Sequence, residues 1–245
     1  MSTRAERVKE ALEHIEGFEK VAFALAINDV PLRRDYFNAV TGYDPARVVR
    51  VLARLANEGV VAETDGLLFQ IASPEIGREV LSHLPDGLGR ELHQASLDWA
   101  RDCEDVSDRF LVHHLVGAGD FEGAARRALA CRRAEEDLVR GRAWIKPLQL
   151  ALEGLLQETT CDIPLCIDLG LTLVRDGHGL LKPGVVTAIL SSLMNLDLNG
   201  EQLAEVAASE TWLKEQRSQA RAQARQAARQ AKEAAQDEAS EEISP

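Results

Sequence analysis

The sequence predicts a mainly α-helical protein in which a winged helix-turn-helix leads into an irregular array of helix pairs and ends in a solvated helix. Three observations predict it. Residues 17–84 carry closely spaced helix caps followed by one hairpin signal; residues 85–213 read as helices separated by short turns; and beyond Leu213 the only large aliphatic residue is Ile243. Residues 1–16 alternate charged and small side chains and are expected to form a helical N-terminal extension.

Within 17–84, an apolar run from Phe18 to Ile27 makes a first helix, broken at Asn28-Asp29. Pro31 opens a second, which Thr41-Gly42 closes. Asp44 is placed to cap the third: its carboxylate accepts a free backbone N–H, and Pro45 at the next position has no N–H to leave unpaired. Val48, Val51, Leu52 and Leu55 then fall at i, i+3, i+4 and i+7, one apolar stripe to pack on the first two helices. Asn57-Glu58-Gly59 ends the helix. Val60 to Glu63 and Leu67 to Ile71 read as two strands joined through Thr64-Asp65-Gly66, where Asp-Gly tolerates positive φ. Three helices followed by a hairpin is the winged-helix order.

From Ser73-Pro74 to Leu213 the pattern is helical, with breaks at Pro85-Asp86-Gly87, Ala118-Gly119-Asp120, Gly141, Thr159-Thr160, Asp176 to Gly179 and Asn199-Gly200. Short turns between such helices suit antiparallel pairs. Ala124, Ala125 and Ala128 allow close helix contact, and Trp144, Leu148, Leu152 and Leu155 form a later stripe. The tail, 214–245, is rich in Ala, Gln and Arg but lacks the apolar side chains needed to dock. A solvated, fraying helix is expected over 214–232, with disorder from Asp237 onward.

Forty acidic against 28 basic residues give a net charge of -12, which opposes loose adsorption to nucleic acid or to an anionic membrane. No stretch approaches the ~20 apolar residues of a membrane span. The four cysteines form no CxxC pair and read as reduced thiols. These features point to the cytoplasm and away from a membrane partner.

The third helix ending Leu55-Ala56-Asn57-Glu58-Gly59-Val60-Val61, the hairpin, and the run Ile71-Ala72-Ser73-Pro74-Glu75-Ile76-Gly77-Arg78 together resemble the winged-helix segment beyond the ATPase core of STAND-type signal-transducing ATPases. LuxR-type and maltose-activator-type regulators belong to that group. Leu92-His93 and the run from His113 to Ala124 are similar to the opening of the tetratricopeptide-like helices that follow there. The resemblance covers residues 17–135. The family's P-loop, G-x-x-x-x-G-K-[ST], is not matched: no lysine follows a glycine, and sixteen residues precede the winged helix. What the resemblance implies is therefore a regulatory or scaffolding portion without the ATPase core.

No catalytic, cofactor or metal site is expected. On the third helix Arg47, Arg50 and Arg54 lie at i, i+3 and i+7, the face that a DNA-reading winged helix sends into the major groove; Arg33 and Arg34 are placed to add backbone contacts. Against this, residues 17–83 hold seven basic and nine acidic side chains, and the wing carries Glu63 and Asp65. In the tail, arginines four apart from Arg217 to Arg229 form a stripe that suits RNA or an acidic partner. His113 and His114, adjacent on a helix, are expected to point about 100° apart and not to share an ion, one packed and the other exposed. Cys161 and Cys166 with Asp162 and Asp168 match no zinc spacing and read as structural. The leading expectation is a non-catalytic regulatory or scaffolding protein that binds a protein partner through its helical array; the alternative is a DNA-binding transcriptional regulator using the third helix.

Overall fold

The computed structural model describes residues 18–28, 30–64, 67–135, 141–178 and 180–241. The expected 1–16 extension and the Asp65-Gly66 turn lie outside the described residues. Those described are mainly helical with one two-stranded sheet, and no helix among them is long and apolar enough to cross a membrane. The chain divides into two compact units, residues 1–136 and 137–245.

The first unit runs α1 (Phe18–Ala26), α2 (Arg34–Thr41), α3 (Pro45–Asn57), β1 (Val61–Thr64), β2 (Leu68–Ile71), α4 (Pro74–Ser82), α5 (Leu88–Arg101), α6 (Asp108–Ala118) and α7 (Phe121–Ala134). Five consecutive residues of α1, Val21 to Leu25, are buried. A helix that is apolar all round must sit inside, and α1 packs against α2, α3, α4 and β2. Asp44 caps α3 as expected, its Oδ1 accepting from Arg47 N–H at 2.9 Å, and the Val48, Val51, Leu52 and Leu55 stripe is buried. The strands pair antiparallel from Val61↔Ile71 to Thr64↔Leu68. Leu32 exchanges two backbone hydrogen bonds with Phe69, at 2.9 and 2.8 Å, so the segment between α1 and α2 joins the outer edge of β2.

The junction expected at 84/85 falls inside this unit, because α2 faces two ways. Phe37 meets Phe69 of the hairpin edge-on at 6.4 Å, while its neighbour Tyr36 meets Trp99 of α5 at 5.1 Å and Phe110 of α6 at 6.3 Å. One hydrophobic core therefore runs from α1 through the hairpin to Leu92, Ala100 and Phe110. The break between α5 and α6 was not among the expected turns; Ser107 makes it, capping α6 by accepting from Phe110 N–H at 3.2 Å.

The second unit holds a 3₁₀ turn (Arg142–Trp144), α8 (Ile145–Leu155), α9 (Ile163–Gly177), α10 (Pro183–Met194) and α11 (Gly200–Glu241). The expected array over 85–213 is thus divided, its first three helices belonging to the first unit. α9 is the centre of this unit, packed against α8, α10 and α11. Asp162 caps it by accepting from Leu165 N–H at 3.1 Å, which accounts for that residue in structural terms. Gly170 lets α10 approach: a Cβ there would lie 2.6 Å from Leu193 Cδ1. Gly170→Ala is expected to cost about 1–3 kcal/mol by displacing Leu193; urea unfolding measures it, and an unchanged midpoint would contradict the close packing.

Docking of α11 extends slightly past Leu213, the last fully buried position. Arg217 Nη2 donates to Pro183 O at 3.0 Å and to Thr187 Oγ1 at 3.3 Å, polar contacts that need no apolar side chain. From Ser218 to Ala231 every side chain is exposed, as a sequence without apolar residues dictates. The helix nevertheless continues to Glu241, so 237–241 are helical rather than disordered; Ala, Gln and Glu lose little freedom in a helix. Residues 242–245 lie outside the described residues.

Candidate functional site

α3 carries three arginines and no carboxylate along its length; the nearest acids, Asp44 and Glu58, sit at its two caps. With the Val48, Val51, Leu52 and Leu55 stripe buried, Ala46, Val49, Arg50, Ala53, Arg54 and Asn57 form a continuous exposed face. Val49 is 42% exposed, an apolar side chain left in water on the same face as the arginines. Among the described residues no ion pair reaches Arg50 or Arg54. Arg47 is half-buried and stacks on the Tyr43 ring at 4.0 Å, which fixes its guanidinium beside the helix start.

Arg33 and Arg34 are not gathered onto that face. Arg33 faces Asp35 at 3.6 Å, and Arg34 lies over the Phe69 ring at 5.6 Å. Three of the acids in the summed charge are similarly placed elsewhere: Asp35 beside Arg33, Glu75 against Arg78 at 3.5 Å, and Glu79 against His83 at 3.2 Å. Glu63 stands exposed on the hairpin's described part. Summing charge over the segment hid this separation, because a total carries no position.

A second constellation lies beneath α1, where the sequence suggested none. His93 on α5 and His113 and His114 on α6 each bring a ring nitrogen within 4.8 Å of the other two. The expectation that His113 and His114 diverge fails because both rings turn toward α5: their centroids are 5.1 Å apart, and both stack against His93. The expected packed partner is His114, which is fully buried, while His113 is half-buried rather than exposed. Gly117, one turn on, makes the space; a Cβ there would fall 2.3 Å from the His93 ring.

Hydrogen bonding assigns the protons. Ser96 Oγ donates to Leu92 O at 2.7 Å, so the Tyr36 hydroxyl must donate to Ser96 Oγ, also at 2.7 Å. Asn28 Nδ2 donates to Tyr36 OH at 2.8 Å and to Ala24 O at 2.6 Å, leaving Asn28 Oδ1 to accept from His114 Nε2–H at 3.0 Å. His114 Nδ1 then bears the lone pair, and His93 Nδ1–H donates to it at 2.9 Å. His113 Nε2–H donates separately to Ile27 O at 2.5 Å. His114, donating through Nε2 and accepting through Nδ1, satisfies both links only as a neutral imidazole. Burial, reinforced by His113, lowers His93 to about 4; burial with both neighbouring imidazoles lowers His114 to about 2. Burial also raises the Tyr36 hydroxyl, partly offset by its hydrogen bonds to Ser96 and Asn28.

In the second unit Cys166 is buried and pushed up to about 12, by burial first and then by Cys161 beside it, so it is a protonated thiol at neutral pH. No family model, curated protein or solved structure matches the chain.

Proposed function

We propose that the chain is a non-catalytic regulatory protein whose residues 18–84 form a winged helix, with α3 as its docking helix for duplex DNA. One observation carries this reading: α3 presents an exposed face with Arg50 and Arg54 along one side, the small apolar side chains of Ala46, Val49 and Ala53 beside them, and no carboxylate. Arginine suits guanine edges and phosphates, and Ala46, Val49 and Ala53 suit a narrow approach and thymine methyl groups. The Leu32–Phe69 pairing adds support, since it ties the segment before α2 to the hairpin as a winged helix requires.

The net charge of -12 shapes how such binding must work. Long-range attraction is weak, so affinity depends on the few arginines of the docking face and falls quickly with salt. The hairpin, with Glu63 exposed, is not the phosphate-holding part.

Fluorescence anisotropy with a labelled duplex at low salt tests the reading. The intact chain is expected to bind, and Arg50→Ala with Arg54→Ala to weaken binding by about 10–100-fold. Both side chains are solvent-exposed, so far-UV circular dichroism should be unchanged. Binding indifferent to the double change would sink the DNA reading.

A second reading, a protein partner held by the later helices, rests on a different observation. A groove of about 380 Å³ between α10 and α11 is lined by Leu190, Met194, Val206 and Leu213, with Glu210 and Lys214 at its margin. Met194 is 42% exposed there. Met194→Glu is expected to abolish capture of such a partner while leaving duplex binding intact; loss of both would contradict separate roles.

A further inference from the structure

We propose that His93, His113 and His114 form a binding site for a divalent transition-metal ion of the zinc class. The three ring nitrogens already lie within 4.8 Å of one another. A tetrahedral zinc ion with bonds of ~2.0–2.1 Å needs donors roughly 3.3–3.5 Å apart, a change small enough for side-chain rotation alone. Three imidazoles with no carboxylate among them favour zinc, copper, nickel or cobalt over magnesium or calcium, which take oxygen donors.

The surroundings are those of a metal site rather than of three packed rings. A ligating histidine ordinarily donates its remote N–H to a carbonyl or carboxylate, which fixes the ring and its tautomer. His113 Nε2–H does so to Ile27 O, and His114 Nε2–H to Asn28 Oδ1. In each case the nitrogen left with a lone pair is Nδ1. Asn28 is held in turn by Ala24 and Tyr36, so the outer support extends into the core. His93 supplies the third donor from a different helix. It presently donates its Nδ1 proton to His114; on metal binding that proton moves to His93 Nε2, and the ring ligates through Nδ1 with no net proton change. His93 and His113 are partly exposed, which gives an ion a way in, and water completes a fourth position.

The site would fasten α5 to α6 and, through Ile27 and Asn28, to the end of α1. Metal binding is therefore expected to stabilise the first unit, since it is absent from the unfolded chain. The inference stands apart from the DNA reading: the ligands are remote in sequence from α3, and metal binding can be present or absent whichever partner is served.

The test uses the full chain, stripped with a chelator and titrated with Co²⁺ and Zn²⁺. Cys161 and Cys166 in the second unit offer competing thiols, so both are changed to Ser. One Co²⁺ per chain is expected, with visible ligand-field bands and no thiolate charge-transfer band, together with a rise in Tm on adding Zn²⁺. His93→Asn and His113→Asn should each weaken binding by at least the roughly 100-fold that loss of an outer partner alone can cost. A chain that binds neither ion at millimolar concentration, or one whose binding is unaltered in both variants, would overturn the proposal. Should either variant fail to fold, nitrogen-only coordination in the unaltered histidine cluster still decides it, because thiolate bands or no bands would count against it.

Discussion

Tyr36→Ala is expected to unfold the whole first unit, α5 and α6 included, and not only the four helices and hairpin that precede them. Tyr36 is fully buried, and its ring touches Phe37, Trp99 and Phe110. Deleting a buried aromatic side chain costs about 3–5 kcal/mol, a large share of the ~5–15 kcal/mol that holds a domain folded. Asn28 and Ser96 would also lose a partner in a buried setting. Tyr36→Phe separates the contributions: it keeps the ring and removes the hydroxyl, for an expected cost of about 1 kcal/mol. Hydrogen exchange reads the outcome. Loss of protection in 18–82 with α5 and α6 still protected would contradict a shared core.

Acid is expected to destabilise this same unit, in metal-free protein, well above the pH at which carboxylates titrate. His93 and His114 have folded values of about 4 and about 2, both below the usual imidazole value of 6.5. Between those limits the unfolded chain binds protons that the folded chain refuses. Stability is therefore fully present above about pH 6.5 and falls as the pH drops toward the folded values. At about pH 5, each of the two imidazoles costs about 2 kcal/mol, at ~1.4 kcal/mol per pH unit. Denaturant midpoints from pH 7 downward, with a chelator present, should fall along that slope. His93→Asn should flatten it; an unchanged midpoint across this range would refute the neutral network.

Local signals made the first three helices and the hairpin legible in the sequence. Asp44-Pro45 and the Val48 to Leu55 stripe each carry their own geometry, and each lies within one element. The buried network was not legible, because its members are spread over Asn28, Tyr36, Ser96, His93 and His114 and meet only when α2 packs on α5. The one readable hint was Gly117, four residues after His113 on a helix with no turn to explain it. Adjacency misled for the histidines: helical angles place Cβ atoms, whereas the rings reach several ångströms beyond and can converge on a third residue. The core shared across residues 84/85 was hidden for a related reason. Pro85-Asp86-Gly87 is a turn, and a turn in sequence does not reveal that Tyr36 on one side and Trp99 on the other share a core. The arginines of α3 were readable as a stripe, but their freedom from neighbouring carboxylates was not, since that depends on where Asp35, Glu75 and Glu79 find partners.

The central claim is that α3 meets a polyanion through Arg50 and Arg54, with Arg47 held ready on Tyr43. The salt dependence of duplex affinity tests it most directly, because each phosphate contact contributes about 0.9 to the slope of log K against log salt concentration. The account predicts a measurable negative slope for the intact chain, reduced by about two when Arg50 and Arg54 become Ala if both hold phosphates, and by about one for each that does. A slope unchanged by these substitutions, or no binding even at low salt, would contradict it.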